Sequence, residues 1–342
     1  MATTSTKKGG TRPMNIVARR GSHAEDKYRA LGGVLNLEPE QIAPGIAPTP
    51  AHDLLYHGGK TIPSLAFTNF YIGGDAWNNS DVQNIDTALA AAMTDPELNN
   101  VMAQYFNGVA PTSTPKPSQM LPGAAPATFS QGDVEKLVSD LFTQGTLAGF
   151  DYGSTVFNFM LPPGTVLNDN PAVGGAQSAH GHEVRRHGVP LEEEANSLNG
   201  LGGYHGSVQS GNQTLYYAVG VYSDNSGGQT NGIPVFDAPW KNVVATFYHE
   251  LNEARTDPDV EAVINGAPSS HLGWTSRQGE ECGDFPVFEA NPLTQVFQEI
   301  ALPGGGTAPV QFQYSNYVHG PEGPIPKPDP AAKGKARHRK HG

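Results

Sequence analysis

The sequence predicts an α/β (α+β) protein: a mixed sheet, one long helix and many loops. Segments with the 3.6-residue apolar spacing of helices alternate with short runs rich in β-branched and aromatic residues. Gly (41) and Pro (29) make up about a fifth of the 342 residues, which calls for extensive connecting structure. The segment 237–259, DAPWKNVVATFYHELNEARTDPD, is amphipathic over a length that only a helix explains.

In chain order, residues 1–50 alternate charge, Gly and Pro and read as a flexible lead-in. A single domain is expected over 51–320, followed by a basic, disordered tail over 321–342. Asp81 opens a helix with Ile85, Leu89 and Met93 on one stripe, and Asp95-Pro96 reads as the start of a second helix ending near Gly108. Residues 109–128 form a Pro/Ser/Thr-rich bridge, read as a linker or surface loop. Ser130 and Asp133 outline a capping box for a third helix, with Val134, Leu137, Val138 and Leu141 on its apolar stripe and Gly145 as its stop. Residues 155–161 and 214–222 read as strands, and 168–200 as a Gly-, His- and Glu-rich loop. Within that loop, His180, His182 and His187 could bind metal adventitiously, and Glu192, Glu193 and Glu194 read as a charged surface.

Charge narrows the partners. The net charge is −12, but the basic residues gather at the two ends, so 31–326 alone carries −22. So acidic a body repels phosphate backbones and attracts cations, which argues against a nucleic-acid partner. No apolar run is long enough for a membrane span, so a soluble protein is expected. Arg19-Arg20 is followed by GSHAEDK instead of an apolar stretch, so no export signal is expected. Cys282 stands alone and makes no intrachain disulfide. The compartment stays open.

Chemistry concentrates in the 237–259 helix. Asp237 is its expected N-cap, Pro239 lies in the first turn and Pro258 ends it, which leaves about eighteen helical residues. Trp240, Val243, Val244, Phe247, Leu251 and Ala254 share a sector about 100° wide that faces the core. His249 and Glu253 stand together on the opposite side, one turn apart, in the pattern H-E-x-x-E. An imidazole and a carboxylate at i and i+4 can grip one ion, while the intervening Glu250 flanks the open position and can take a proton from bound water. This is the zincin H-E-x-x-H pattern with a carboxylate as its second ligand, so the predicted fold is zincin-like, with this as the active-site helix. Glu281, on the Gly279–Asp284 turn, is the preferred third ligand. Asp257 is another candidate if Pro258 turns the chain back, although before a proline it reads first as a turn former and helix terminator. Asp259 lies at i+10 from His249, where an extended zincin motif places its third ligand. His205, in a Gly-flanked loop, could be a ligand, an oxyanion stabiliser or a solvated side chain. Cys282 reads better as a buried thiol than as a ligand.

These strings also resemble a known pattern. Tyr-His249-Glu-Leu-x-Glu253-Ala-x-Thr256-Asp257-Pro258, Gly273-Trp274, Glu281-Cys-Gly283-Asp284, Gly202-Gly203-Tyr204-His205-Gly206 and FNFMLPPG (157–164) are similar, in order, to those of an uncharacterised metallopeptidase-like family. That family is worded S-H-E-x-x-E-A-x-T-D-P, G-W, E-I-G-D and G-G-Y-H-G, and is distantly similar to the plant phosphate-induced (Exordium-like) proteins. The chain departs from the wording at Tyr248 and Cys282. The resemblance implies a metallopeptidase-like body with metal-site groups at His249, Glu253 and the Glu281 turn.

The expected function is therefore zinc-dependent hydrolysis of a peptide or protein substrate, with Glu250 as general base and His205 beside it. The alternative is a non-enzymatic surface or cell-wall-type binding module with a structural cation site, where Ca²⁺ replaces Zn²⁺. A third reading pairs Glu250 with Glu281 as a glycosidase acid and base.

Overall fold

The structure is a computed structural model and describes residues 42–323 apart from 97, 170–195, 226–227, 265 and 303–305. Its centre is a six-stranded mixed sheet. The strands are β1 (Ser64–Ile72), β2 (Thr112–Pro115), β3 (Gln119–Leu121), β4 (Thr155–Met160), β5 (Gly203–Ser210) and β6 (Gln213–Gly220). β1 lies between β4 and the two short strands β2 and β3, all parallel; β6 adds parallel to β4, and β5 closes the edge antiparallel to β6. The 109–128 bridge, expected as a linker or surface loop, thus contributes two short edge strands to the sheet. Pro115 fits in its strand because an edge strand has one row of amides with no ladder partner.

Alternating side chains send the two faces of this sheet into two cores. Phe67, Tyr71, Val156, Met160 and Ala218 meet α1 (Asn79–Thr94) and α3 (Pro239–Thr256) on one face. Phe70, Phe157, Phe159, Tyr217 and Val219 meet α2 (Gln131–Thr143) on the other. The short helices α4 (Val260–Ile264) and α5 (Asp284–Glu289) follow α3, and a hairpin of β7 (Phe297–Ala301) and β8 (Thr307–Gln311) covers α3 from outside.

Local signals set most helix ends. Ser130 caps α2 with the expected reciprocal box to Asp133, and Gly145 follows with φ +81°. α1 starts two residues before Asp81: Asn78 is its cap, accepting from the Ser80 amide at 3.0 Å, an alternative of equal capping strength. Asp95 ends that helix, and its carboxylate accepts from the Leu98 amide at 3.1 Å. The expected second helix is a 3-10 segment, Val101–Phe106. α3 has the predicted eighteen residues, but Ala238 is its N-cap; Asp237 is drawn away to the Lys241 ammonium at 2.7 Å. Residues 42–50 pack on the body, with Ala43 and Ile46 buried and Ile42 bridged to Glu322. Residues 1–41, 324–342 and most of the 168–200 loop, including His180, His182, His187 and Glu192–Glu194, lie outside the described residues.

α3 departs most from an ordinary amphipathic helix. Its apolar face packs on the sheet as expected, yet every residue from Asn242 to Thr256 is buried, the H-E-x-x-E side included. Two facing glycines let it approach so closely. Gly203 and Gly220 are partners across β5 and β6, and a Cβ would fall 2.9 Å from Thr246 Cγ2 at the first and 2.9 Å from Phe247 Cε2 at the second. No helix among the described residues is long and apolar enough to cross a membrane.

Candidate metal centre

Three elements converge on the polar side of α3. The helix brings His249, Glu250 and Glu253; strand β5 brings His205; the turn leading into α5 and that helix's first residue bring Glu281 and Asp284. All six side chains are buried. His205 is thus a strand residue paired with Ala218, not a loop residue, and the alternation of β5 turns it toward α3 while Tyr204 enters the opposite core.

The two imidazoles are oriented by carbonyl oxygens. Gln311, on β8, donates its amide to the carbonyls of Gly283 at 2.7 Å and Phe312 at 2.9 Å, so its Oε1 faces Nδ1 of His249 and accepts that N–H. Nε2 of His249 then faces Glu253 Oε2 at 3.0 Å and Glu250 Oε1 at 4.0 Å. His205 is set the other way round: Nε2 donates to the Asp257 carbonyl at 3.1 Å, and Nδ1 faces Glu250 Oε2 at 3.3 Å and Glu253 Oε2 at 3.8 Å. A hydrogen bond at one ring nitrogen that fixes the tautomer and aims the other is the usual support of a metal-ligating histidine.

The carboxylates are only half satisfied. Glu253 Oε1 accepts from the Gly283 amide at 2.9 Å, and Asp284 Oδ2 from the Glu281 amide at 2.9 Å. Their other oxygens, together with His249 Nε2, Glu250 Oε1 and both oxygens of Glu281, are buried with no hydrogen-bond partner among the described residues. Leaving one such atom unpaired costs about 1–3 kcal/mol, more when it is charged. So many at one point call for a cation or for protons.

Titration reflects the same crowding. Burial lowers the pKa of His249, but Glu253 and Glu250 outweigh it and push the imidazole up to about 9. His205 is raised well above its ordinary value, with Glu281 and Glu250 overcoming burial. Burial raises Glu250, moves Glu281 up to about 7, and raises Asp284 and Asp257 well above the usual carboxylate range. Without a cation, the cluster holds protons.

Ligand atoms lie within 4.8 Å of one another in two trios, His205 with Glu250 and Glu253, and His249 with Glu253 and Asp284. Of the expected set, His249 and Glu253 come together. Glu281 stands instead beside His205, its Oε1 3.4 Å from Nε2, and Asp284 from the same turn joins His249. Asp257 terminates α3; its Oδ1 accepts from the Gly273 amide at 2.9 Å, and it enters neither trio. Asp259 turns to Ser207 and Tyr216. The third reading's two carboxylates, Glu250 and Glu281, are separated by the ring of His205. Cys282 is a buried thiol, its pKa raised well above 9, beside Thr256 and among Tyr105, Phe285 and Tyr314.

No protein-family model, curated protein or solved structure matches this chain.

Sequence reasoning did not reach Gln311 and Gly283. Gly283 has no room for a side chain, since a Cβ would fall 2.3 Å from His249 Nδ1 and 2.9 Å from Glu253 Oε1. Its place in the Glu281–Asp284 string hinted at a close approach; Gln311, 62 residues beyond His249, gave no signal.

Proposed function

We propose that the protein is a metal-dependent hydrolase of zincin-like build. His249, Glu253 and a carboxylate of the 281–284 turn hold a divalent cation, with zinc the first choice for this nitrogen and oxygen set. A cation held there would lower the pKa of a bound water, and Glu250 would take the proton; amide hydrolysis in a peptide or protein substrate would follow from that chemistry. One observation carries the reading: His249 Nε2 and Glu253 Oε2 lie 3.0 Å apart, both buried, and neither has a hydrogen-bond partner among the described residues. The metallopeptidase-like wording of the motifs supports it. The test is metal content after purification without added metal, followed by Glu250→Gln. The variant is expected to keep the ion at His249 and lose hydrolysis by a factor of about 10²–10⁴; full activity in the variant defeats the assignment.

A second reading is favoured by burial of the entire donor set. A cation sealed among α3, β5 and the 281–284 turn would serve as a structural clamp in a binding module, and oxygen-rich surroundings would also accept Ca²⁺. Rapid exchange of bound zinc with chelator, without unfolding, favours the enzyme; exchange that waits for unfolding favours the clamp.

A further inference from the structure

The cluster holds more donors than one cation needs, and they divide around a single side chain. His205 with Glu250 forms one side, His249 with Asp284 the other, and Glu253 belongs to both. We infer that the centre is binuclear, with Glu253 bridging two divalent cations. The inference rests on the metal reading above and extends it.

Orientation is the first argument. Each imidazole has one nitrogen committed to a carbonyl oxygen, His249 to Gln311 and His205 to Asp257. Nε2 of His249 and Nδ1 of His205 both approach Glu253 Oε2, at 3.0 Å and 3.8 Å, the latter also facing Glu250 Oε2 at 3.3 Å, and the two trios share no other residue. An imidazole nitrogen facing carboxylate oxygens is held there by a positive charge, a proton or a cation, and the two trios give each imidazole its own place for a cation. A carboxylate has two oxygens and several lone pairs, so it can serve two ions at once.

Charge is the second. Glu250, Glu253, Glu281 and Asp284 are fully buried, and the only cationic side chain buried nearby on α3, Arg255, bonds instead to Ser113 and Thr112. With neutral imidazoles and all four carboxylates ionised, one divalent cation leaves two negative charges that only bound protons would balance. Two divalent cations cancel them. Buried charge without compensation is the costlier arrangement by far.

Donor chemistry is the third. Two imidazoles and four carboxylates make up the set that holds carboxylate-bridged pairs of iron or manganese in helical bundles, and such a set suits Mn²⁺, Fe²⁺ or Zn²⁺. The carboxylate of Glu250 can then bind the His205 ion through Oε2 and still turn its partnerless Oε1 toward the His249 side. Paired ions acting on one bridging water are a general device for hydrolysis.

The experiment is metal stoichiometry on the full chain, stripped by chelator and re-equilibrated with Mn²⁺ and, separately, Zn²⁺. Two ions per chain are expected, falling to one in His205→Ala and to one in Asp284→Asn. Electron paramagnetic resonance of the unaltered Mn²⁺ protein gives a readout independent of any variant: an exchange-coupled pair is expected in place of isolated ions. One ion per chain overturns the pair and leaves the single-ion hydrolase standing. No bound ion overturns both. Two uncoupled ions, or two ions retained in both variants, place the second ion elsewhere and overturn the inference.

Discussion

At the scale of single residues, His249 shows how neighbours decide a role. On a solvated helix it would be neutral above pH ~6.5. Here burial is outweighed by Glu253 and Glu250, and the ring stays protonated up to about 9 in the absence of a cation. A cation must displace that proton, so at pH 8 zinc binding should release protons, and affinity should fall as pH falls from 9 to 6. Calorimetry in buffers of different ionisation enthalpy reads the release directly; none at pH 8 would show that the imidazole is not held in its charged form. Gln311 acts one bond further out. Gln311→Ala removes the acceptor that sets the His249 tautomer, and zinc affinity should drop by a factor of about 10–100 while the fold persists. Unchanged affinity would mean that packing alone aims the ring.

At the scale of elements, the question is how a helix carrying His249, Glu250 and Glu253 comes to be buried on every side. Its length and its end at Asp257 were legible because Pro239 and Pro258 act locally, and its apolar stripe because a period of 3.6 needs no partner to be seen. The capping box of α2 was legible for the same reason. What the sequence did not reveal is which element covers the polar side. His205 reads as a loop residue beside its glycines until β6 pairs with it, and a choice between Glu281 and Asp284 needs the direction of a turn that only α3 and β8 define. Gly203 is the point where these elements lock. A Cβ there would meet the Val219 carbonyl at 2.6 Å and Glu250 Oε1 at 3.1 Å, and the backbone oxygen cannot step aside. Gly203→Ala should therefore push α3 from β5, cost about 1–3 kcal/mol of stability and weaken metal binding on the His205 side. Thermal unfolding and metal titration of this one variant check both effects. A variant as stable as its parent, with unchanged affinity, would mean that helix and strand do not need this approach.

At the scale of the whole molecule, the cluster ties stability to pH and to metal, and the signs follow from the shifts. For Glu281, folding raises the carboxyl to about 7, so its contribution is present below about pH 4.5 and lost as pH rises through 7. For His249 the folded value of about 9 also lies above the unfolded one, so its contribution is complete below about 6.5 and lost as pH rises through 9. Both act in one direction: the metal-free protein should lose stability between pH 6 and 9. A cation reverses the trend, because it binds the deprotonated donors and binds them better as pH rises. At a hundredfold excess over its dissociation constant it adds about 2.7 kcal/mol. For a body of this size that is a rise in Tm of roughly 4–5 °C. Thermal unfolding at pH 6 and pH 9, with chelator and with zinc, should show the metal-free Tm falling with pH and the gap between the two forms widening. A chelated protein equally stable at both pH values would mean that the six side chains neither share protons nor await a cation, and the acidic interior would need another source of balance.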